Sequence, residues 1–520
     1  MNLAALLTAV ESPERPALIF TRADDSPHRI TFNELNDLSA RLAGGFQTMG
    51  LRAGDRAVVL ASISLYLYAS LIALFRLGAA AVFLDPQAGP RQLNQAAMLA
   101  DAKAFIGTSK AMWLRWLSPA LRRVPVRLLA EGHGPHSLNQ LAQYAQPQSE
   151  LTDLPPETPA LITFTGGSTD AAGPRGVLRT HGLLAAQHAA ITRAFPAQPG
   201  EVDLPAFPIV TLHNLASGLT SVIPDFPFRR PQAVRPEKIL RQIETFGVTT
   251  ASGSPAYWSR IAEHCLRHNL TLPVRRIITG GAPVSPGLLE QLTRTAPRAE
   301  VLSVYGGTEA EPVAVMPAAV VIAETASLTA NGAGIPLGYP VSDVRVRVLD
   351  SRGIQLNTRE VGEIWVAGEH VARAYFANPR ADAENKRHEA DGCLWHRMGD
   401  VGYRDGQGRL WLAGRVNTVI KRAGRVLYPV LVEAALDTLP FIQRAALVGV
   451  PDSTLGERAV LVVELRPNGP ADWQSRLSAI CVERDWPIDE VRAIPRLPVD
   501  ARHNARIDYE RLRKSGLQPR

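Results

Sequence analysis

Short apolar runs alternate with longer helical stretches over residues 55–320, in the rhythm of strand, helix and strand again. AVVLAS at 57–62 reads as a strand buried on both faces, LYLYASLIALFRLG at 65–78 as a helix, and AAAVFL at 79–84 as the next strand. The stretch from Ala57 to Phe75 is apolar enough to pass a crude filter for a membrane span. Ser62, Ser64, Tyr66, Tyr68 and Ser70 interrupt it, however, and turn sequences bracket it, so a strand and a helix are expected and no span. AFIGT, PALITFT, GVTTASGS, VRRIITGG and AEVLSVYGG repeat the alternation and predict parallel sheets covered by helices.

After about residue 335 the texture changes. VRVRVLD, GEIWVAG and GRLWLAGR have period two and are separated by the turn signals DSRG and DGQG, which predicts antiparallel strands in a smaller β subdomain. Beyond Arg415 the pattern is mixed: VLVEAALDTL and WQSRLSAICVERD as helices, AALVGVPD and RAVLVVELRP as strands. The expected class is therefore α/β: a large N-terminal domain, 1–415, of parallel-sheet subdomains plus the small β subdomain, then a small α+β C-terminal lid domain, 416–520. A chain of 520 residues is long enough to build more than one core.

Charge narrows the partners. The 56 basic and 49 acidic residues leave +7, with no runs of Lys or Arg, so neither nucleic acid nor an anionic membrane is expected as a partner. Only six of the basic residues are lysines: 103, 110, 238, 386, 421 and 514. Cys265, Cys393 and Cys481 lie far apart, with neither metal-ligand spacing nor a disulfide framework, which points to a reducing compartment, the cytoplasm by default. The opening MNLAALLTAVESPER lacks the pattern of a signal peptide.

Three strand ends carry the candidate chemistry. In LITFTGGSTDAAGPRGV a strand runs into Thr165, Gly166, Gly167, Ser168 and Thr169, with Arg175 beyond. Small residues let backbone N–H groups approach a phosphate, hydroxyls add donors, and the arginine adds positive charge. The loop is neither a Walker A motif nor a nucleophile elbow, since Asp170 stands where the elbow's closing glycine would be. The plain alternative is a polar turn. In SVYGGTEAE, Tyr305, Gly306, Thr308 and Glu309 close a strand with a hydroxyl and a carboxylate suited to phosphate and Mg²⁺; here the alternative is a solvated acid in a turn. Gly280, Gly281, Ala282 and Pro283 are small enough for a flat purine to lie against backbone.

In this order, and over nearly the whole chain, these segments resemble the adenylate-forming superfamily of acyl-CoA synthetases, stand-alone adenylation domains and luciferases. The resemblance implies that TFTGGSTDAAGPRGV cradles the ATP phosphates, with Arg175 where lysine is usual, and that GGAP at 280–283 lies against adenine. It further implies that Thr308 contacts the α-phosphate and Glu309 holds Mg²⁺. Asp400, in HRMGDVGY, and Arg415, in LAGRVNTVIKRAGRV, match the residues that hold the ribose; Asn417 sits at the hinge position, and Lys421 and Gly424 open the C-terminal domain, which the family makes mobile. His213, in FPIVTLHNLASG, corresponds either to the gate of the acyl pocket or to an ordinary polar loop residue. In LPVDARHNARIDYERL, Arg506 takes the place of the lysine that faces the reacting carboxylate and α-phosphate. A cation there stabilises developing charge, although the arginine fork differs from an ammonium in reach.

The resemblance implies that a small-molecule carboxylic acid, fatty or 3-hydroxylated, is activated with ATP and Mg²⁺ to acyl-AMP and pyrophosphate, with Thr308, Glu309, Lys421 and Arg506 in catalytic roles. Transfer to a thiol, on CoA or on the phosphopantetheine of an acyl carrier protein, is placed ahead of the alternative, in which the substrate's own hydroxyl displaces AMP. That alternative comes from TSVIPDFPFRRP, FGVTTASGSPA, WHRMGDVGY and RHNARID, which are most similar to the olefin β-lactone synthetase and fatty-acid ligase branch. A nucleotide-binding protein without turnover is the reading from another class, suggested by Arg175, Arg506 and Asp170.

Overall fold

The apolar stretch near residue 60 folds as strand Arg56–Leu60, helix Leu65–Leu77 and strand Ala80–Phe83, with the two strands parallel neighbours. Ser64 caps the helix by accepting from the Leu67 amide at 3.3 Å. Gly78 ends it at φ +72°, a left-handed turn that a side chain would disfavour. The helix is apolar almost all round because it is buried almost all round. Its 13 residues are too few for a bilayer, and no helix among the described residues is long and apolar enough to cross a membrane.

The computed structural model describes residues 1–22, 24, 26–85, 89–132, 134, 136–165, 173–467, 469–499 and 507–514. The chain forms two compact units and crosses between them repeatedly. One comprises Met1–Pro224, Thr308–Glu311 and Ala367–His396; the other comprises Asp225–Gly307, Pro312–Val366 and Arg397–Arg520. The mixed α/β class expected from the sequence is the class observed.

In the first unit a seven-stranded sheet runs in the order Tyr375–Phe376, Arg175–Thr180, Pro159–Thr165, Ala80–Phe83, Arg56–Leu60, Ala104–Gly107, Val126–Leu129. The last five are parallel, while Arg175–Thr180 is antiparallel to both of its neighbours. Val58, Val82, Phe105, Ile162 and Phe164 belong to one buried cluster of this unit. The same unit holds the parallel strands Val202–Pro205, Thr220–Val222 and Pro16–Thr21, edged by antiparallel Pro27–Thr31.

The second unit contains the parallel strands Thr250–Gly253, Arg276–Gly280 and Glu300–Gly307. Of the three period-two segments, Arg345–Leu349 and Gly362–Ala367 form strands, and Leu410–Arg415 pairs antiparallel with Ile335–Pro340 and with Leu394–Arg404. Towards the C-terminus, Ile442–Asp452 and Gly456–Leu465 form a long antiparallel pair. Alternate residues of this pair bury both of its faces, as the pleat requires. Ala445, Leu447, Ala459, Leu461 and Val463 pack with Val432, Leu436 and Leu477, whereas Ala446, Val448, Val460 and Val462 pack with Leu497, Ile507, Tyr509 and Leu512. Strands Ile420–Arg422 and Arg425–Leu427 are joined by the two-residue loop Ala423–Gly424, both at positive φ, the geometry of a tight hairpin turn.

A buried polar contact ties this region together. On helix Pro429–Leu436, Glu433 accepts from the Leu447 amide at 2.8 Å and from the Tyr509 hydroxyl at 2.8 and 2.7 Å. Burial pushes the Glu433 carboxyl up to about 8, against the lowering effect of those hydrogen bonds, and pushes Asp437 up to about 7. Both folded-state values are raised, so the folded protein keeps protons that the unfolded chain releases. Their contribution to stability is complete below the unfolded values of 4.5 and 3.8 and is lost as pH climbs through about 7 to 8. Glu433→Gln should therefore melt above the parent near pH 8, by on the order of 1–3 kcal/mol, with the gap closing near pH 5. Melting curves of the two proteins that stay parallel across that range would contradict the assignment.

Candidate active site

The residues singled out above fall into two sets, one in each unit, and each set stands mainly at strand ends. In the first unit, strands Pro159–Thr165 and Arg175–Thr180 are antiparallel and Thr165 pairs with Arg175, which sets both at the mouth of a hairpin. Gly166, Gly167, Ser168, Thr169 and Asp170 lie outside the described residues, as do Arg506 and the side chain of Thr165. The Arg175 guanidinium lies 3.7 Å from the Glu384 carboxylate.

Glu309 is held from both its backbone and its side chain. Its carbonyl accepts from the Ala372 amide at 2.7 Å, and Oε1 accepts from the Tyr375 hydroxyl at 2.9 Å. The backbone amide of Tyr375 is fixed in turn by Asp382 Oδ1 at 2.7 Å. Lys386 is buried beneath this pair, with its ammonium on the Ala372 carbonyl and 5.3 Å from the centre of the Tyr375 ring. Burial lowers its pKa to about 8, and Glu309 and Asp382 pull it back upward. Burial and the neighbouring Glu309 raise the Tyr375 phenol, which keeps it protonated and donating. His396 is kept neutral, pushed down to about 3 by burial and then by Lys386. With Oε1 engaged, the second Glu309 oxygen is a hard donor of the kind Mg²⁺ accepts, so this residue fits a metal-holding role.

Arg179 and Glu311 influence each other's charge without an ion-pair contact among the described residues. Arg179 donates to Thr163 Oγ1 at 2.8 Å, and its Nε is buried with no hydrogen-bond partner among the described residues. Both Arg179 and Glu311 keep an exposed edge, but their charged ends are enclosed by protein. Burial lowers the arginine and raises the acid, and each partly offsets the cost of the other.

In the second unit, strands Arg276–Gly280 and Glu300–Gly307 run parallel with Gly280 opposite Val304. A Cβ at Gly280 would lie 2.6 Å from the Val304 carbonyl oxygen, so no larger residue fits without moving a strand. Gly281 follows at φ +78°. Tyr305, at the end of the neighbouring strand, donates to Asp400 Oδ2 at 2.7 Å, and Arg415 donates to Oδ1 at 2.7 Å. Asp400 and Arg415 are cross-strand partners, so a hairpin brings together an ion pair 15 positions apart in sequence. Lys421 is exposed on strand Ile420–Arg422, its amide donating to Glu457 at 2.6 Å. Asn417 lies in the short turn Val416–Thr418.

His213 belongs to helix Pro208–Ala216, not to a loop. Its Nδ1 lies 3.0 Å from Nδ1 of His188, and burial followed by the His188 charge pushes it down to about 3. Sequence reasoning missed Tyr375, Lys386, Arg179 and the part played by Glu311. A signal existed for one of them: the scarcity of lysine that marks Lys421 marks Lys386 equally.

The model of the AMP-binding enzyme family matches residues 7–376, and that of the AMP-binding enzyme C-terminal domain matches 431–502. The chain is 37% identical to an olefin β-lactone synthetase of Stenotrophomonas maltophilia and 36% identical to one of Xanthomonas campestris pv. campestris. Each match spans 509 residues, 93% of this chain and 90% of the relative. Among solved structures, ATP-bound MatB from Rhodopseudomonas palustris shares the fold, with a TM-score of 0.83 over 99% of both chains at 22% identity.

The Arg179–Glu311 pair leads to a direct expectation. Arg179→Leu should strand the Glu311 charge and destabilise the protein by about 2–4 kcal/mol near neutral pH, less so in acid where Glu311 can take a proton. Adding Glu311→Leu should recover much of the loss in a double-mutant cycle of melting curves. Simple additivity would show that the two charges are not coupled.

Proposed function

The chain belongs to the AMP-binding enzyme family, and on that footing we propose that its substrate is a 3-hydroxy carboxylic acid whose own hydroxyl displaces AMP to close a β-lactone. As an adenylate-forming acid ligase it uses ATP to make an acyl-AMP. The observation that carries the finer reading is the likeness to two β-lactone synthetases over 93% of the chain. It reverses the order in which the motifs alone had set thiol transfer and ring closure.

In the first step a carboxylate oxygen attacks the α-phosphorus and the bond to the bridging oxygen of pyrophosphate breaks, leaving acyl-AMP. The chain's work would be positioning and charge neutralisation. The phosphate end would fall to Thr165 to Thr169 and Arg175 as donors, Thr308 beside the α-phosphate, and Glu309 for Mg²⁺, which would neutralise phosphate charge when bound. Tyr375 and Lys386 would keep the Glu309 carboxylate aimed. The nucleoside end would fall to Gly280 to Pro283 against the base, with Tyr305 and Arg415 orienting Asp400 toward the ribose hydroxyls. Arg506 would face the transferring centre. In the second step the 3-hydroxyl oxygen attacks the acyl carbon, AMP leaves with the bonding electrons, and the hydroxyl proton passes to the released phosphate or to solvent.

The C-terminal domain from 416 onward is proposed to move about the Val416–Thr418 turn, carrying Lys421 with it. Thiol transfer is the second reading, favoured by the IKRAGRV hairpin, whose lysine is exposed as a mobile contact would need. On the same footing we place the enzyme in the cytoplasm, with an acyl carrier protein as the bearer of the thiol in the second reading.

With ATP, Mg²⁺ and a 3-hydroxy acid but no thiol, AMP should be released in step with a β-lactone, and the acid lacking the hydroxyl should stop at acyl-AMP. AMP release that waits for CoA or a carrier would overturn the lactone reading and leave the ligase intact. Asp400→Asn should raise KM for ATP by roughly ten- to a hundredfold, since a charge-assisted contact is lost. Arg506→Ala should lower pyrophosphate exchange by about a hundredfold or more, and Arg506→Lys should retain much of it.

A further inference from the structure

At the edge of the seven-stranded sheet farthest in strand order from Thr165 and Arg175, the chain exposes a cluster that the reaction does not use. Short helix Ser109–Met112 runs into the turn Trp113–Trp116, and helix Pro119–Arg123 leads to the edge strand Val126–Leu129. Met112 and Leu114 turn inward and pack on the core. The larger apolar groups turn outward: Trp113 is 71% exposed, Trp116 57% and Leu117 56%. Trp113 and Trp116 are three apart in a 3₁₀ turn, so they share one face. Met98, 63% exposed, is tied to the same patch through Asn94, which donates to its sulfur at 3.5 Å and accepts from Ser118 at 2.9 Å. Two tryptophans and two large aliphatic side chains left in water are a cost that soluble surfaces ordinarily avoid.

Along this segment the charge has one sign. Between Asp101 and Glu131 there is no acidic residue, while that window holds Lys103, which pairs with Asp55, and five further cations, Lys110, Arg115, Arg122, Arg123 and Arg127. None of these five lies within ion-pair distance of a carboxylate among the described residues. The guanidinium of Arg115 lies 5.4 Å, and that of Arg122 5.2 Å, from the Trp116 ring centre, so cations frame the aromatic face. The net charge of +7 spread over 520 residues hides this local concentration.

We propose that this patch docks the protein peripherally on an anionic membrane surface. Tryptophan has the mixed character that settles at the headgroup level, where its ring is buried and its N–H stays wet. Arginine and lysine beside it meet the negative potential of anionic lipids. Protein partners are matched by mixed-sign contacts that set register, whereas five cations without one acid fit a laterally uniform negative surface. Docking there would hold the ligase at the phase in which long-chain acids dissolve, and it involves no membrane-crossing helix.

The test uses the full chain with phosphatidylglycerol-containing and pure phosphatidylcholine vesicles. Sedimentation should favour the anionic vesicles by about tenfold or more and weaken with salt, and brominated lipid should quench tryptophan emission. Trp113→Ser with Trp116→Ser should abolish the quenching, and Arg122→Glu with Arg123→Glu should abolish the preference, while melting temperature and pyrophosphate exchange with a short soluble acid stay at parental values. Equal partitioning to both vesicles, or binding that survives both double variants, overturns the proposal. So does capture of an acidic carrier protein through the patch without any vesicle binding, which would make this a protein-docking surface.

Discussion

Apolar side chains fill most interior positions of the parallel sheets, and a carboxylate that does enter, Asp203, is met by the Asn214 amide; the placement of the chemistry follows from that constraint. Val58, Val82 and Ile162 are wholly buried in adjacent strands, and strands covered on both faces can carry little else. Polar groups are consequently driven to the strand ends, where backbone N–H and C=O groups are no longer spent on the ladder. Thr165 and Arg175 face each other across one such end, and Gly280 and Tyr305 stand at two others. Packing and chemistry meet at Gly280, since the strand spacing that fills the core also brings the Val304 carbonyl too close for any side chain.

Charges that must enter the protein are accompanied. Glu309 comes in with a phenol on one oxygen and an ammonium behind the ring. Asp400 comes in between Arg415 and Tyr305. Arg409 shows the purely structural version of the same rule: buried, it spends its fork on Asp405, Glu324 and Gln407, and Asp405 also accepts from Trp411. Arginine suits these multidentate sites through its planar donors, which gives an Arg-rich chain a structural use for much of its charge. Lys386 is the contrast, a compact point charge where a single carbonyl and a ring face wait for it.

The exposed Trp113–Leu117 segment and the buried Glu433–Tyr509 contact are opposite departures from the same economy. One leaves apolar surface in water; the other takes a carboxyl out of it. Neither is needed to form the local strands and helices, whose apolar positions are filled by neighbours such as Leu114, Val432 and Leu436. Features that folding does not require invite a functional or conformational explanation.

Much of this molecule was legible along the chain. The strand, helix and strand at 56–83, the antiparallel segments after 335, and the long pair at 442–465 follow from hydrophobic period alone, because period two and period 3.6 bury different faces. The order of glycine-, hydroxyl- and acid-bearing strand ends identified the family, since each such motif is local in sequence. What tertiary structure alone decided is who stands beside whom. Tyr375 meets Glu309 across 66 residues, Tyr509 meets Glu433 across 76, and Arg415 meets Asp400 through a strand register. Only the fold shows that Trp113 and Trp116 face outward. Local pattern sets which face of an element is apolar, but burial, charge pairing and pKa depend on what the rest of the chain brings to that face, and no window of sequence contains that information.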